Sequence, residues 1–313
     1  MRRLALPSVV FFLSAGTLSS CTGTLGGDDA GERDVPAPRD VPSIDTPAAS
    51  PDARTDASPD AGPDASIEVC PTSALCESFD DYTETTLVDD QRFGPWRAAL
   101  NAPGAIMELD GLHTVSGAQA LHVRIESGAT AGARLYAEPS VPLVAAHPTH
   151  VFGRLRMFIE PSGTSVHWTF FGIEGPAEPS SPVSGRYASY ILSSLPRDGV
   201  NTYSFVDGLG GGAEYQDCWF QGMEPMPVGR WACVSFEMDS VARRLRMSLD
   251  GTEIVAVDDR GQGCVGSVPG DSLWYGPMFE NLFVGAWSFH PMDAPLEVWI
   301  DDVVVDTAPV ACP

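Results

Sequence analysis

The sequence predicts an all-β protein, a two-sheet antiparallel sandwich, on three observations. Glycine (31) and proline (27) punctuate it throughout. Apolar and polar residues alternate in short runs of strand length. No stretch carries a sustained apolar stripe at helical spacing with capping residues at its ends. In chain order the runs fall at 119–126, 151–159, 165–173, 186–193, 231–238, 244–249, 252–257, 281–289 and 296–305. Arg244-Leu245-Arg246-Met247-Ser248-Leu249 meets Asp250-Gly251 and continues as Thr252-Glu253-Ile254-Val255-Ala256-Val257. That is a hairpin, because Asp-Gly supplies the left-handed backbone of a two-residue turn. Further Asp-Gly pairs at 110–111, 198–199 and 207–208 mark other reversals. Nine or more strands joined by long Gly/Pro-rich connections suit a sandwich better than a small barrel.

Composition divides the 313 residues into a leader at 1–20, a linker at 21–68 and one folded domain at 69–313. The linker holds seven prolines and no aromatic residue, and repeats Pro-Asp-Ala, as in Pro59-Asp60-Ala61. It buries too little apolar surface to fold and is expected to be a disordered, extended stalk. The net charge is −24, and residues 69–313 carry 13 Arg against 31 Asp and Glu. A domain so acidic repels phosphate backbones and anionic lipid, which excludes nucleic acid as a partner.

Arg2 and Arg3 precede an apolar run from Leu4 to Leu18. The run is shorter than the roughly 20 residues a membrane-spanning helix needs, and it reads as a signal peptide. It ends in Leu18-Ser19-Ser20-Cys21, which resembles the bacterial lipobox. The resemblance implies diacylglycerol on Cys21 and, with Thr22 rather than Asp next, sorting to the outer membrane of the bacterial envelope. Attachment would rest on the lipid anchor alone.

Six cysteines remain: Cys70, Cys76, Cys218, Cys233, Cys264 and Cys312. In an exported domain an even count predicts three disulfides. The shortest interior loop joins Cys218 to Cys233, and a bond from Cys70 or Cys76 to Cys312 would tie the chain ends. No Cys-x-x-Cys pair or histidine has the spacing of a zinc site.

Leu75-Cys76-Glu77-Ser78-Phe79-Asp80, Val115-Ser116-Gly117-Ala118-Gln119-Ala120-Leu121-His122-Val123, Gly229-Arg230-Trp231-Ala232-Cys233-Val234, Leu249-Asp250-Gly251 and Val298-Trp299-Ile300-Asp301-Asp302-Val303 together resemble the concanavalin A-like jelly rolls. Among these, the similarity is to polysaccharide lyases and fungal cellulose-induced secreted proteins. It implies a structural calcium held by Glu77, Ser116 and Asp301 or Asp302, oxygen donors of the kind calcium prefers.

Beta-elimination on a uronic-acid polymer needs a carboxylate clamp, a base and an acid. Arg154 and Arg156 share one face of a strand. Arg156 as clamp, His167 as base and Tyr190 (or Tyr187) as acid form one candidate set. Against it, the related lyases keep a Tyr-Phe-Lys-Ala-Gly-x-Tyr-like strand, and Asn281-Leu282-Phe283-Val284-Gly285-Ala286-Trp287 lacks both tyrosines and the lysine. The sandwich hydrolases use Glu-x-Asp-x-x-Glu, and Glu237-Met238-Asp239-Ser240-Val241-Ala242 lacks its last carboxylate. Sugar binding asks only for aromatic platforms and a few polar groups. Trp168, Trp219, Trp274, Trp287, Tyr187, Tyr190 and Tyr215 supply aromatics, of which Tyr187, Trp219 and Trp287 are the expected contacts. The expected function is recognition of a polysaccharide or glycan at the cell surface, with a lyase and a structural envelope protein as the alternatives.

Overall fold

The computed structural model describes residues 70–313 except 102, 131, 197, 208–214 and 266–272. The lipobox, the linker and the glycine-rich stretch 208–212 lie outside the described residues. In chain order the strands are β1 (Leu75–Glu77), β2 (Arg92–Phe93), β3 (Trp96–Leu100), β4 (Ala105–Asp110), β5 (Ala120–Ile125), β6 (Gly132–Ala137), β7 (His150–Ile159), β8 (Trp168–Pro176) and β9 (Tyr187–Leu195). They continue as β10 (Gly199–Asp207), β11 (Tyr215–Gly222), β12 (Trp231–Asp239), β13 (Arg244–Leu249), β14 (Thr252–Asp258), β15 (Gly263–Val265), β16 (Asn281–Trp287) and β17 (Leu296–Asp306). One four-residue helix, Pro142–Ala145, interrupts the series.

Two antiparallel sheets result. The eight-stranded sheet runs β14-β13-β12-β7-β17-β5-β4, with β1 also on β17, and the nine-stranded sheet runs β15-β11-β10-β9-β8-β16-β6-β3-β2. The alternation seen in the sequence places the core between them. Along β7, Val151, Leu155, Met157 and Ile159 are buried in the common core, while Arg154 and Arg156 take the intervening positions on the outer face. From the other sheet Leu135, Phe171, Ile173, Leu192 and Val284 meet them. The hairpin at Asp250-Gly251 forms as expected, with both residues at positive φ. The Asp110-Gly111 and Asp198-Gly199 pairs likewise stand at strand ends.

The disulfides correct the sequence expectation. Cys218 bonds to Cys264, Cys233 to Cys312, and Cys70 to Cys76. Cys218 belongs to the core side of β11, directly opposite Cys264 on β15. Cys233 pairs in register with Arg156 and so faces outward from the other sheet. Strand parity therefore separates Cys218 from Cys233 by the thickness of the sandwich, although they are near in sequence. Neither Cys70 nor Cys76 reaches Cys312, because they bond to each other, closing a short loop onto β1.

Candidate functional site

The outer face of the nine-stranded sheet is built by residues that alternate with its core positions. Trp219 on β11 stands opposite Tyr203 on β10, and Tyr203 opposite Ile191 on β9. Ile191 faces Gly172 on β8, Gly172 faces Phe283 on β16, and Phe283 faces Tyr136 on β6. Tyr136 then meets Arg97 on β3. One straight row thus crosses seven strands, about 29 Å at the usual interstrand spacing. A flanking row carries Asp217, Phe205, Ser189 and Glu174, and the other carries Gln221, Asn201, Ser193, Thr169 and Trp287.

These residues are not equally available. Trp219, Tyr203, Ile191, Tyr136 and Trp287 are half-buried and Tyr187 is 45% exposed, whereas Phe283 is fully covered. The Phe283 ring lies over Gly172, where a Cβ would come within 2.4 Å of the ring. The Arg134 guanidinium roofs it at 3.8 Å from the ring centroid and lies 5.0 Å from the Trp287 ring. Burial lowers the Arg134 pKa, and its Nη2 donates to Thr169 Oγ1 at 2.6 Å. Arg134 thereby fixes the orientation of Phe283 and Trp287 through cation–π contacts.

At one end of the face a groove of about 470 Å³ is lined by Arg92, Arg97, Tyr136, Glu138, Glu174 and Tyr187, among others. The Tyr187 hydroxyl donates to Glu174 Oε2 at 2.8 Å, and burial followed by Glu174 raises its pKa well above the ordinary phenol. Near the opposite end, burial pushes the Asp217 carboxyl up to about 6. Burial, then Asp217, pushes Tyr203 up to about 12. The mixture of aromatic planes, amide, hydroxyl and carboxylate groups can stack on a sugar ring and hydrogen-bond its hydroxyls.

The structure gathers Tyr187, Trp219 and Trp287 on this one face. It does not gather the elimination set. Tyr190 points into the core, is 0% exposed, and its hydroxyl donates to the Trp274 carbonyl at 3.2 Å. It cannot protonate a leaving oxygen on the surface. Arg156 stands on the outer face of the other sheet, between Cys233 and Asp301. His167 does border the aromatic row, with its ring 6.1 Å from Tyr203 and 4.9 Å from His290. Burial first, and His290 second, lower its pKa, which favours the neutral imidazole. Trp168 and Trp274 are core residues.

The expected calcium ligands occupy a break in the other sheet. The first half of β17 pairs with β5 and the second with β1, and the register against β7 shifts between Asp301 and Val304. Asp302, at φ 47, makes the bulge. Asp301 Oδ2 accepts the Val115 N–H at 2.8 Å and the Ser116 N–H at 3.3 Å, while Ser116 Oγ donates to Asp302 Oδ1 at 2.6 Å. Asp301 is 0% exposed, and burial above all pushes its carboxyl up to about 6. A buried carboxylate beside a half-buried one, with a hydroxyl, is a donor set that suits a hard cation. Glu77 Oε1 accepts the Phe79 N–H at 2.7 Å, and its Oε2 accepts the Tyr82 hydroxyl at 2.6 Å and the Trp96 indole N–H at 2.7 Å. Glu77 is an acceptor for three donors, as is Asp301, whose Oδ1 also accepts the Asp302 N–H at 2.8 Å.

Sequence reasoning missed Tyr203, Tyr136, Arg134, Glu174 and Asp217. The signal was present as alternation, in Asn201-Thr202-Tyr203-Ser204-Phe205 and Arg134-Leu135-Tyr136, but neither segment reads as a strand with one apolar face.

No family model matches the sequence, and no curated protein matches it. Solved structures similar to this chain include the cellulose-induced protein Cip1, at 18% identity over 72% of this chain and 99% of that one, with a TM-score of 0.46. They also include a mutant of the alginate lyase Aly36B in complex with an alginate tetrasaccharide, at 11% identity over 77% and 99%, with a TM-score of 0.41. A third is a carbohydrate esterase of the Shiga toxin-encoding bacteriophage phi24B, at 13% identity over 67% and 88%, with a TM-score of 0.38. The likeness is one of chain path. By its own two antiparallel sheets, the described domain is an all-β two-sheet sandwich.

Proposed function

We propose that this chain is a cell-envelope lipoprotein that binds a glycan along the outer face of the nine-stranded sheet. The observation that carries the reading is the transverse row from Trp219 through Tyr203 to Tyr136, with Tyr187 and Trp287 beside it. Aromatic planes spaced along a line match the repeated apolar faces of a saccharide chain, and the flanking Asn201, Gln221 and Glu174 offer partners to its hydroxyls. Affinity electrophoresis of the full chain in gels containing neutral or uronic-acid polysaccharides tests it. Trp219→Ala and Tyr203→Ala are each expected to weaken retention about tenfold, the loss of one stacking platform. Equal mobility of wild type and variants on every polymer would refute the site. Ultraviolet absorbance from newly unsaturated chain ends, abolished in His167→Ala, would instead identify a lyase. Neither signal would leave the structural reading.

The lipid anchor at Cys21 is supported by the register of charge, apolar run and small residues before it. Wild type is expected in the membrane fraction and Cys21→Ala in the soluble one, so that identical partition of the two would refute the anchor.

Calcium at Ser116, Asp301 and Asp302 is supported by the adjacent carboxylates at the β17 bulge, Asp301 buried and Asp302 half-buried. Binding only the folded state, it would raise the melting temperature, increasingly with free calcium. That rise is expected to vanish in Asp301→Asn, and a melting temperature indifferent to chelator in the wild type would refute the site.

A further inference from the structure

The outer face of the eight-stranded sheet carries a second constellation, made of residues other than those at the aromatic row or the β17 bulge. Glu108 on the edge strand β4 stands directly opposite His122 on β5, and Asp110 follows two residues along the same face. Among the described residues, these are the three histidine or carboxylate side chains whose donor atoms all lie within 4.8 Å of one another. We infer that Glu108, Asp110 and His122 form a binding site for a divalent first-row transition ion.

A second observation points to a ligand. The His122 side chain is only 12% exposed, and both its ring nitrogens are sealed from solvent without an aligned hydrogen-bond partner. Nδ1 nevertheless lies 2.8 Å from Asp110 Oδ2, and Nε2 lies 3.5 Å from Glu297 Oε2. An imidazole held this close to carboxylates in a site shut off from water can exchange the proton it shares with them for a divalent ion. Ligand atoms on a tetrahedral ion are about 3.3 Å apart, so Asp110 needs to retreat by only roughly 0.5 Å to admit one.

The supporting residues are already in place. The Trp299 indole N–H donates to Asp110 Oδ1 at 2.9 Å, which aims the other oxygen at His122. The Trp299 ring lies flat against the imidazole, with centroids 4.1 Å apart and planes 8° from parallel. Fixing the ligands from behind in this way is how proteins tune metal affinity. One imidazole with two carboxylates suits zinc, cobalt or manganese better than calcium, and this separates the site from the all-oxygen set at Ser116, Asp301 and Asp302.

Zinc chloride titrated calorimetrically into the full chain, with calcium saturating, tests the inference. One zinc per chain is expected in the wild type, weakened at least tenfold in His122→Gln and in Glu108→Gln. Cobalt(II) gives a readout that mere stabilisation would not move, because its visible absorption strengthens in four-coordinate sites, and that gain is expected to disappear in both variants. Glu108 sits at a sheet edge, so its variant keeps the test decisive should His122→Gln fold poorly. Absence of zinc binding in the wild type, or undiminished binding in Glu108→Gln, would overturn the assignment.

Discussion

Replacing Cys233 and Cys312 together by serine is expected to lower the unfolding free energy by about 4.5 kcal/mol, and replacing Cys70 and Cys76 by only about 2 kcal/mol. The difference follows from loop length, since the first bond spans 79 residues and the second 6. Closing a longer loop removes more conformational freedom from the unfolded chain. The Cys233–Cys312 bond also holds the C-terminal segment across the outer face of the eight-stranded sheet, where Arg154 Nη1 donates to the Ala311 carbonyl at 2.8 Å. Urea unfolding monitored by tryptophan fluorescence measures both variants. Equal losses would contradict the pairing.

Glu77→Ala is expected to cost about 3 kcal/mol, in calcium and in chelator alike. The carboxylate joins β1 to the loop that follows and to β3 by accepting from Phe79, Tyr82 and Trp96. Trp96 is 0% exposed, so its indole N–H would be left buried without an acceptor. Phe79 would also lose the bond that supports its left-handed backbone at φ 64. The pKa of Tyr82, raised by burial first and by Glu77 second, should fall by the part that Glu77 contributes. Denaturant midpoints taken with and without calcium decide the matter. A loss seen only in calcium would instead make Glu77 a metal ligand.

The all-β sandwich was legible because its longer strands alternate cleanly, as Arg244–Leu249 and His150–Ile159 do. Strands buried on both faces are harder to read. Along β9, Ala188, Ser189, Tyr190, Leu192, Ser193 and Ser194 are all buried, which hides the parity that sends Tyr190 inward and Tyr187 outward. Tyr190 consequently looked like a surface acid. The proposed sugar contacts Trp219 and Trp287 were recognisable by type, since large aromatics beside polar residues suggest a platform. Their company was not, because Tyr203 and Tyr136 join them only through a register that crosses seven strands. Cysteine pairing failed for the same reason. Proximity in sequence says nothing about which side of a sheet a residue faces.

The short loop closed by Cys70 and Cys76 has a mechanical consequence. A pull on the chain preceding Cys70 crosses the covalent bridge to Cys76 and bypasses the residues between them. It arrives on β1, whose Leu75, Cys76 and Glu77 lie antiparallel along Val305, Val304 and Val303 of β17. Traction directed along that strand loads these pairs in parallel, as shear, whereas traction across it opens them one after another, as a zipper. β17 is in turn flanked by β7 along most of its length, which spreads the load into the sheet. The bridge thus makes the entry point of the domain stiff where an ordinary loop would stretch first.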